Sequence, residues 1–194
     1  MNAIKKITCL VFTVALTASV PTVFAADKNN ATKTHYKKLN ADGKPASDKP
    51  GDALCVLDSQ TGLVWELKTD DDGVHDKDKT YRWGGRGAEQ IGEIFFDDWN
   101  ALIDGSNTGK LCGFSDWRVP TIDELKTLVV AGANPAIDSD FFVLTLAKPY
   151  WSSSAYKNYP EHGQTVHFET GASYYYNGFR GDSLPLRLVR SKTQ

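Results

Sequence analysis

Apolar and polar positions along the chain fall into three regimes. From Ile7 to Val20 the residues are mostly apolar, behind the positive pair Lys5 and Lys6 and ahead of Val23-Phe24-Ala25. From Ala26 to Gly51 the sequence "ADKNNATKTHYKKLNADGKPASDKPG" is lysine-rich and polar, with almost no large apolar residue. From Asp52 onward, apolar and aromatic residues return at short intervals. The first regime has the layout of a signal peptide cleaved after Ala25. Its apolar run is shorter than the about 20 residues that a membrane span needs, so no transmembrane segment is expected once it is removed. The second regime, residues 26–51, cannot offset its ordering entropy by burial and is expected to be a flexible polar leader. The third, residues 52–194, suffices for one domain with its own core.

Within that domain, "ALCVLD" and "GLVWEL" predict two strands joined by the turn "DSQTG", and "TYRW" predicts a further short strand. Ala88, Ile91, Phe95, Trp99, Leu102 and Ile103 form a helical stripe that Gly105 should end, with Gly92 inside it. A second helix is marked more fully. Thr121 and Glu124 have capping-box spacing, in which the threonine oxygen accepts from the N3 amide while the glutamate reaches back to the cap amide. Pro120 keeps the preceding residues extended, Ile122, Leu125, Leu128 and Val129 line one face, and Gly132 supplies a stop. Beyond it "YWSSSAY" reads as a strand. "QTVHFETGASYYYNG" reads as a hairpin about Thr170-Gly171, with Val166 and Phe168 on one face and Thr165, His167 and Glu169 on the other. "LPLRLVR" is a last strand, with Leu186, Leu188 and Arg190 alternating against Arg187 and Val189. Strands, two helices and strands again predict an α+β domain whose chain ends meet in one sheet.

Charge and cysteine usage narrow the function classes. Loss of residues 1–25 lowers the basic count from 22 to 20 against 24 acidic residues, giving a net charge of −4 rather than −2. Nucleic-acid binding is not expected of such a chain, because its footprint is basic. Cys9 leaves with the signal peptide, and Cys55 and Cys112 remain. In an oxidising compartment that pair reads first as a disulfide. Neither has a second cysteine or histidine at zinc-ligand spacing.

Four clusters invite a chemical reading. In "CGFSDWRVPTIDEL", Asp116, Arg118, Asp123 and Glu124 resemble acid–base catalysts. Each also has a structural use: Glu124 in the capping box, Asp123 at a helix N-terminus, Trp117 as an apolar anchor, and Arg118 on carbonyls or Asp116. That use is the expected one. In "WSSS", Ser152, Ser153 and Ser154 lack a nucleophile elbow and a following helix. The acidic loop "TDDDGVHDKDKTY" suggests calcium but fails the EF-hand spacing: counting back from Gly73 puts Lys68 at the first ligand position. Lastly, Tyr156, Tyr159, Tyr174, Tyr175, Tyr176 and Phe179 gather with Lys157, His162, His167 and Arg180. Aromatic rings stack on the apolar faces of sugars while cations hold sulfates or carboxylates. The competing role for these rings is to fill the core.

"TGLVW" (Thr61–Trp65), "GFSDWRVPTIDEL" (Gly113–Leu125), "YWSSS" (Tyr150–Ser154), "VHFETG" (Val166–Gly171) and "RLVR" (Arg187–Arg190) occur in that order. Together they resemble the C-terminal domain family of the Legionella collagen-like adhesin, over roughly Asp52 to Arg190. The segment from Trp117 to Glu124 and the closing "RLVR" are more distantly similar to formylglycine-generating enzymes and C-type-lectin-like folds. The late cysteine pair of those enzymes has no counterpart after Cys112. The resemblance implies a C-type-lectin-like domain, with two helices packed on a twisted, mainly antiparallel sheet. It further implies binding of sulfated glycans at the cell surface. On such a fold an irregular calcium site in the acidic loop is the one cofactor worth testing; otherwise none is expected.

The expectation is thus an exported protein, periplasmic or at the cell surface, that binds a glycan or an envelope or surface protein without catalysing a reaction. Its ligand residues are expected among Tyr156, Lys157, Tyr159, His167, Tyr174, Tyr175, Tyr176 and Arg180. The rivals are an enzyme using Ser152 with His167 or the Asp70–Asp78 loop, and a structural subunit of a surface assembly.

Overall fold

A computed structural model describes residues 35–86, 96–156, 158–174 and 178–191. Among the described residues the strands are β1 (Tyr36–Leu39), β2 (Cys55–Asp58), β3 (Leu63–Glu66), β4 (Pro149–Ala155), β5 (Gly163–His167), β6 (Ala172–Tyr174) and β7 (Val189–Ser191). Two α-helices, α1 (Asp98–Thr108) and α2 (Ile122–Lys126), lie between β3 and β4 in the chain. The strands form two antiparallel sheets, ordered β1-β2-β3-β7 and β4-β5-β6. The class is α+β as expected, but with two sheets where one was expected. The first and last strands do share a sheet.

The first sheet is covered on both faces, because side chains alternate along each strand and both alternating sets are apolar. Tyr36, Val56, Leu63, Trp65 and Val189 join one core with Leu125, Leu128, Phe142, Tyr150, Val166 and Phe168. Leu39, Cys55 and Val64 join the other with Trp83, Trp99, Leu102, Trp117 and Trp151. This explains two departures from the alternation rule. Arg187, Val189 and Arg190 are all buried along with Leu186 and Leu188, so the run from Leu186 to Arg190 has no solvent face. Thr165, expected on the polar face of its hairpin, is buried opposite Trp151.

Three boundaries also move. The leader does not extend to residue 51: Tyr36–Leu39 pairs with β2, and Tyr36 packs its ring against Phe141 and Phe142. Two large side chains, Tyr36 and Leu39, suffice because each meets a different core. The first helix runs Asp98–Thr108 and passes through Gly105 rather than stopping there. It buries Trp99, Leu102 and Ser106, while Ala88, Ile91, Gly92 and Phe95 of the expected stripe lie outside the described residues. "TYRW" makes only an isolated bridge, between Tyr81 and Leu184.

The second helix starts as the sequence predicts. Thr121 Oγ1 accepts from the Glu124 amide at 3.3 Å, and Glu124 Oε2 accepts from the Thr121 amide at 2.8 Å. The helix itself is five residues long, so Leu128 packs from the turn after it. Thr121→Ala removes one cap acceptor and should lower stability by about 1 kcal/mol, read from urea unfolding. A change within experimental scatter would assign the helix start to Pro120 alone.

Candidate functional site

The site is built from the floor upward. Trp83 and Trp151 are buried, and each donates its indole N–H to a backbone carbonyl: Trp83 to Ser152 at 2.8 Å and Trp151 to Tyr81 at 2.7 Å. Two glycines let the chain pass over them. A Cβ at Gly163 would come within 2.4 Å of Trp83, and one at Gly178 within 2.1 Å of Trp151. Gly163 donates to the Gly178 carbonyl at 2.8 Å, so the two segments cross as a pair over the indoles. Gly178→Ala is expected to lower stability by about 1–3 kcal/mol, the range for overpacking, in a thermal melt. An unchanged melting temperature would mean the indoles yield freely.

Above this floor stands a ladder of rings. Tyr156 and Tyr159 stack with centroids 5.4 Å apart and planes 2° from parallel. Tyr159 meets His162 edge-on at 6.3 Å, and His162 meets Phe179 edge-on at 6.0 Å. Two of its members stay open: Tyr159 is 40% exposed and Phe179 43%. Backbone bonds lock the ladder, from Tyr156 N to the His162 carbonyl and from His162 N to the Tyr159 carbonyl. Residues that were expected only as a compositional cluster are thus partly assembled into one surface.

Other expected ligand residues are elsewhere. Arg180 is buried, with its guanidinium 4.2 Å over the Trp83 ring, so it is not available at the surface to hold a ligand. Desolvation by burial lowers its pKa, and the carboxylate of Glu161 opposes that shift. His167 pairs with Pro149 and Ala172 at the far end of β5, about 13 Å along the strand from Gly163. Lys157, Tyr175 and Tyr176 lie outside the described residues, and Tyr174 is described only as a strand residue. His162 and Phe179 complete the surface; the sequence grouped them with the tyrosines but gave no reason to rank them.

The side chains of the catalytic alternatives are engaged in holding the fold. Ser152 is buried and donates to the Gln164 carbonyl at 2.8 Å, Ser153 donates to the Pro120 carbonyl at 3.2 Å, and Ser154 Oγ accepts from the Ile122 amide at 3.0 Å. These serines tie β4 to its neighbours and to the start of α2. In the register of β4 and β5, Ser152 follows the Trp151–Thr165 pair while His167 faces Pro149, so the two do not meet. In the acidic loop, Asp76 Oδ2 accepts from the Asp71 and Asp72 amides at 2.9 and 3.0 Å, and its Oδ1 accepts from Asp78 at 2.8 Å. Asp71 accepts from Thr69 and Gly73, and Lys77 bridges Asp70 and Asp78. Backbone amide bonds hold the Asp76 carboxyl below the usual carboxylate range. Among the described residues no three His, Cys, Asp or Glu side chains gather as a metal-holding group.

Most of the cluster in "CGFSDWRVPTIDEL" makes contacts that hold the fold. Cys112 is bonded to Cys55, and both are buried. Trp117 is buried and donates Nε1–H to the Leu111 carbonyl at 3.0 Å. The ion pairs differ from the expected one. Arg118 forks onto Glu124 at 2.8 and 2.6 Å, and Asp116 takes Arg190 at 2.5 and 3.1 Å. The Arg118 fork holds the Glu124 carboxyl below its ordinary value, and the same carboxylate also closes the capping box.

Two open grooves lie along β1. One of about 560 Å³ is lined by Lys38, Lys49, Leu67, Phe141, Val143 and Leu144 among others. Another of about 430 Å³ runs between Lys37, Leu57, Phe114 and Arg190. Neither gathers a group of exposed rings comparable to the ladder.

A family model described as the Lcl C-terminal domain matches residues 54–190, and the chain belongs to that family. No curated protein and no solved structure matches it. Among the described residues no helix is long and apolar enough to cross a membrane.

Proposed function

We propose that this member of the Lcl C-terminal domain family is an exported, non-catalytic binding domain that recognises a glycan at the bacterial envelope or surface. Its ligand face is the ladder Tyr156, Tyr159, His162 and Phe179. The observation that carries the reading is the exposure of two rings, Tyr159 and Phe179, in a surface whose backbone is fixed over buried indoles. Flat, pre-positioned rings lose little entropy when a pyranose stacks on them. Export is supported by the Cys55–Cys112 disulfide, which persists in oxidising compartments, and by the signal-like opening segment. A non-catalytic role is supported by the engagement of Ser152, Asp71 and Asp76 in bonds that hold the fold.

A glycan array and a heparin column run with the domain beginning at residue 26 test this. Retention on at least one glycan class is expected. Tyr159→Ala should weaken that binding about tenfold, the loss of one stacked ring, with the melting temperature preserved. No retention above buffer background would sink the glycan reading in favour of a protein partner.

A further inference from the structure

We infer that the domain self-associates through the larger groove beside β1, which takes the acidic loop at residues 70–74 of a second copy of this chain. The two most exposed large apolar side chains among the described residues stand outside the ladder: Val143, 68% exposed, and Val74, 49% exposed. They sit among charges of opposite sign. Val143 lines the groove of about 560 Å³ together with Leu67, Phe141 and Leu144. Lys38 and Lys49 flank that apolar lining, against one carboxylate, Asp48. Lys68 lines it as well, but its ammonium is taken by Glu66. Val74 closes the exposed run Asp70-Asp71-Asp72-Gly73-Val74, which carries three aspartates and no cation.

Both halves are held in shape before they meet. Asp52 Oδ2 accepts from the amide and the hydroxyl of Ser47 at 2.6 and 2.8 Å, which ties down the groove wall at residues 47–51. Asp76 holds the loop through the Asp71 and Asp72 amides, and the Thr69 amide donates to the His75 carbonyl at 3.0 Å. A fixed loop entering a fixed groove loses little conformational freedom. Docking Val74 beside Phe141, Val143 and Leu144 removes apolar surface from water, while the aspartates come to face Lys38 and Lys49. Leu67 and Lys68 line the groove and lead directly into the loop, so the two patches adjoin. Two copies related by a two-fold axis exchange such patches reciprocally, each loop in the other's groove.

Sedimentation of the chain beginning at residue 26, over a concentration series at low and high salt, reads the association. A mass above that of the monomer is expected at low salt, falling towards the monomer as salt is added. Val143→Asp should weaken the association at least about tenfold with the melting temperature kept. The charge-reversed groove Lys38→Glu/Lys49→Glu should do the same, and adding Asp70→Lys/Asp72→Lys in that chain should recover most of the loss, because the signs match again. A monomer at every concentration and salt would overturn the inference. Association that survives both groove variants, or a charge-exchanged chain no better than the groove variant alone, would overturn it as well.

Discussion

Replacing Glu66 by leucine should cost about 3–5 kcal/mol of folding stability, the range for removing one partner of a buried ion pair. Glu66 is fully buried at the end of β3. Its Oε1 accepts from Lys68 Nζ at 2.9 Å and from the His75 ring at 2.8 Å, while its Oε2 accepts from the Leu188 amide at 2.7 Å. Its backbone carbonyl takes the buried Arg187 at 2.5 Å. One carboxylate therefore joins β3, the loop that follows it and the final segment. Loss of that carboxylate leaves Lys68, itself buried, without its counter-charge. The double variant Glu66→Leu/Lys68→Leu should recover a large part of the loss, since neither charge is then stranded.

The same group sets an acid dependence. Burial alone would push the Glu66 carboxyl up, but the Lys68 ammonium and the His75 ring outweigh it and hold the value down to about 2. The folded value lies below the unfolded one, so this contribution is complete above the unfolded value and is lost as pH falls towards 2. Urea unfolding of the wild type should weaken steeply between about pH 5 and pH 2, and Glu66→Leu should show a flatter profile. Parallel profiles for the two proteins would remove Glu66 from this role.

Loss of the disulfide, by Cys55→Ala with Cys112→Ala, should lower stability by about 4 kcal/mol. That is the chain-entropy figure for cross-linking residues separated by 57 positions. Cys55 sits in β2 between Leu39 and Glu66 of the adjoining strands, and Cys112 lies in the short 3₁₀ turn after α1. The bond thus pins the helical segment to the sheet across the core that holds Trp99 and Trp117. A free-thiol assay on the unreduced domain beginning at residue 26 should find none. Two titratable thiols, or a double variant as stable as wild type, would contradict the account.

What the sequence made legible was local or combinatorial. The capping box of Thr121 and Glu124 follows from spacing, the hairpin of β2 and β3 from strand pattern and turn chemistry, and the cysteine pair from cysteine count and compartment. Ion-pair identity did not follow. Asp116 and Arg118 are near neighbours in sequence, yet they face Arg190 and Glu124, because the bridge between Arg118 and Val189 brings the final strand alongside. Glu66 was missed for a related reason. An acid after "LVW" reads as a solvent-facing position when one sheet face is assumed to be wet. The unbroken apolar run from Leu63 to Trp65 was the available signal that both faces are covered, with Lys68 two residues on as the partner. In the ladder, composition pointed to the neighbourhood but could not tell that Arg180 turns inward while Phe179 turns out. That choice depends on Trp83, nearly a hundred residues earlier.

Whether the ladder is the ligand face has one direct test. Amide and aromatic NMR shift mapping of the labelled domain, titrated with the array glycan that binds it most tightly, addresses this directly. The account predicts the largest shifts at Tyr156, Tyr159, His162 and Phe179, with Gly163 and Gly178 following. Shifts centred instead on Lys38, Phe141 and Val143 beside β1, with the ladder unmoved, would contradict it.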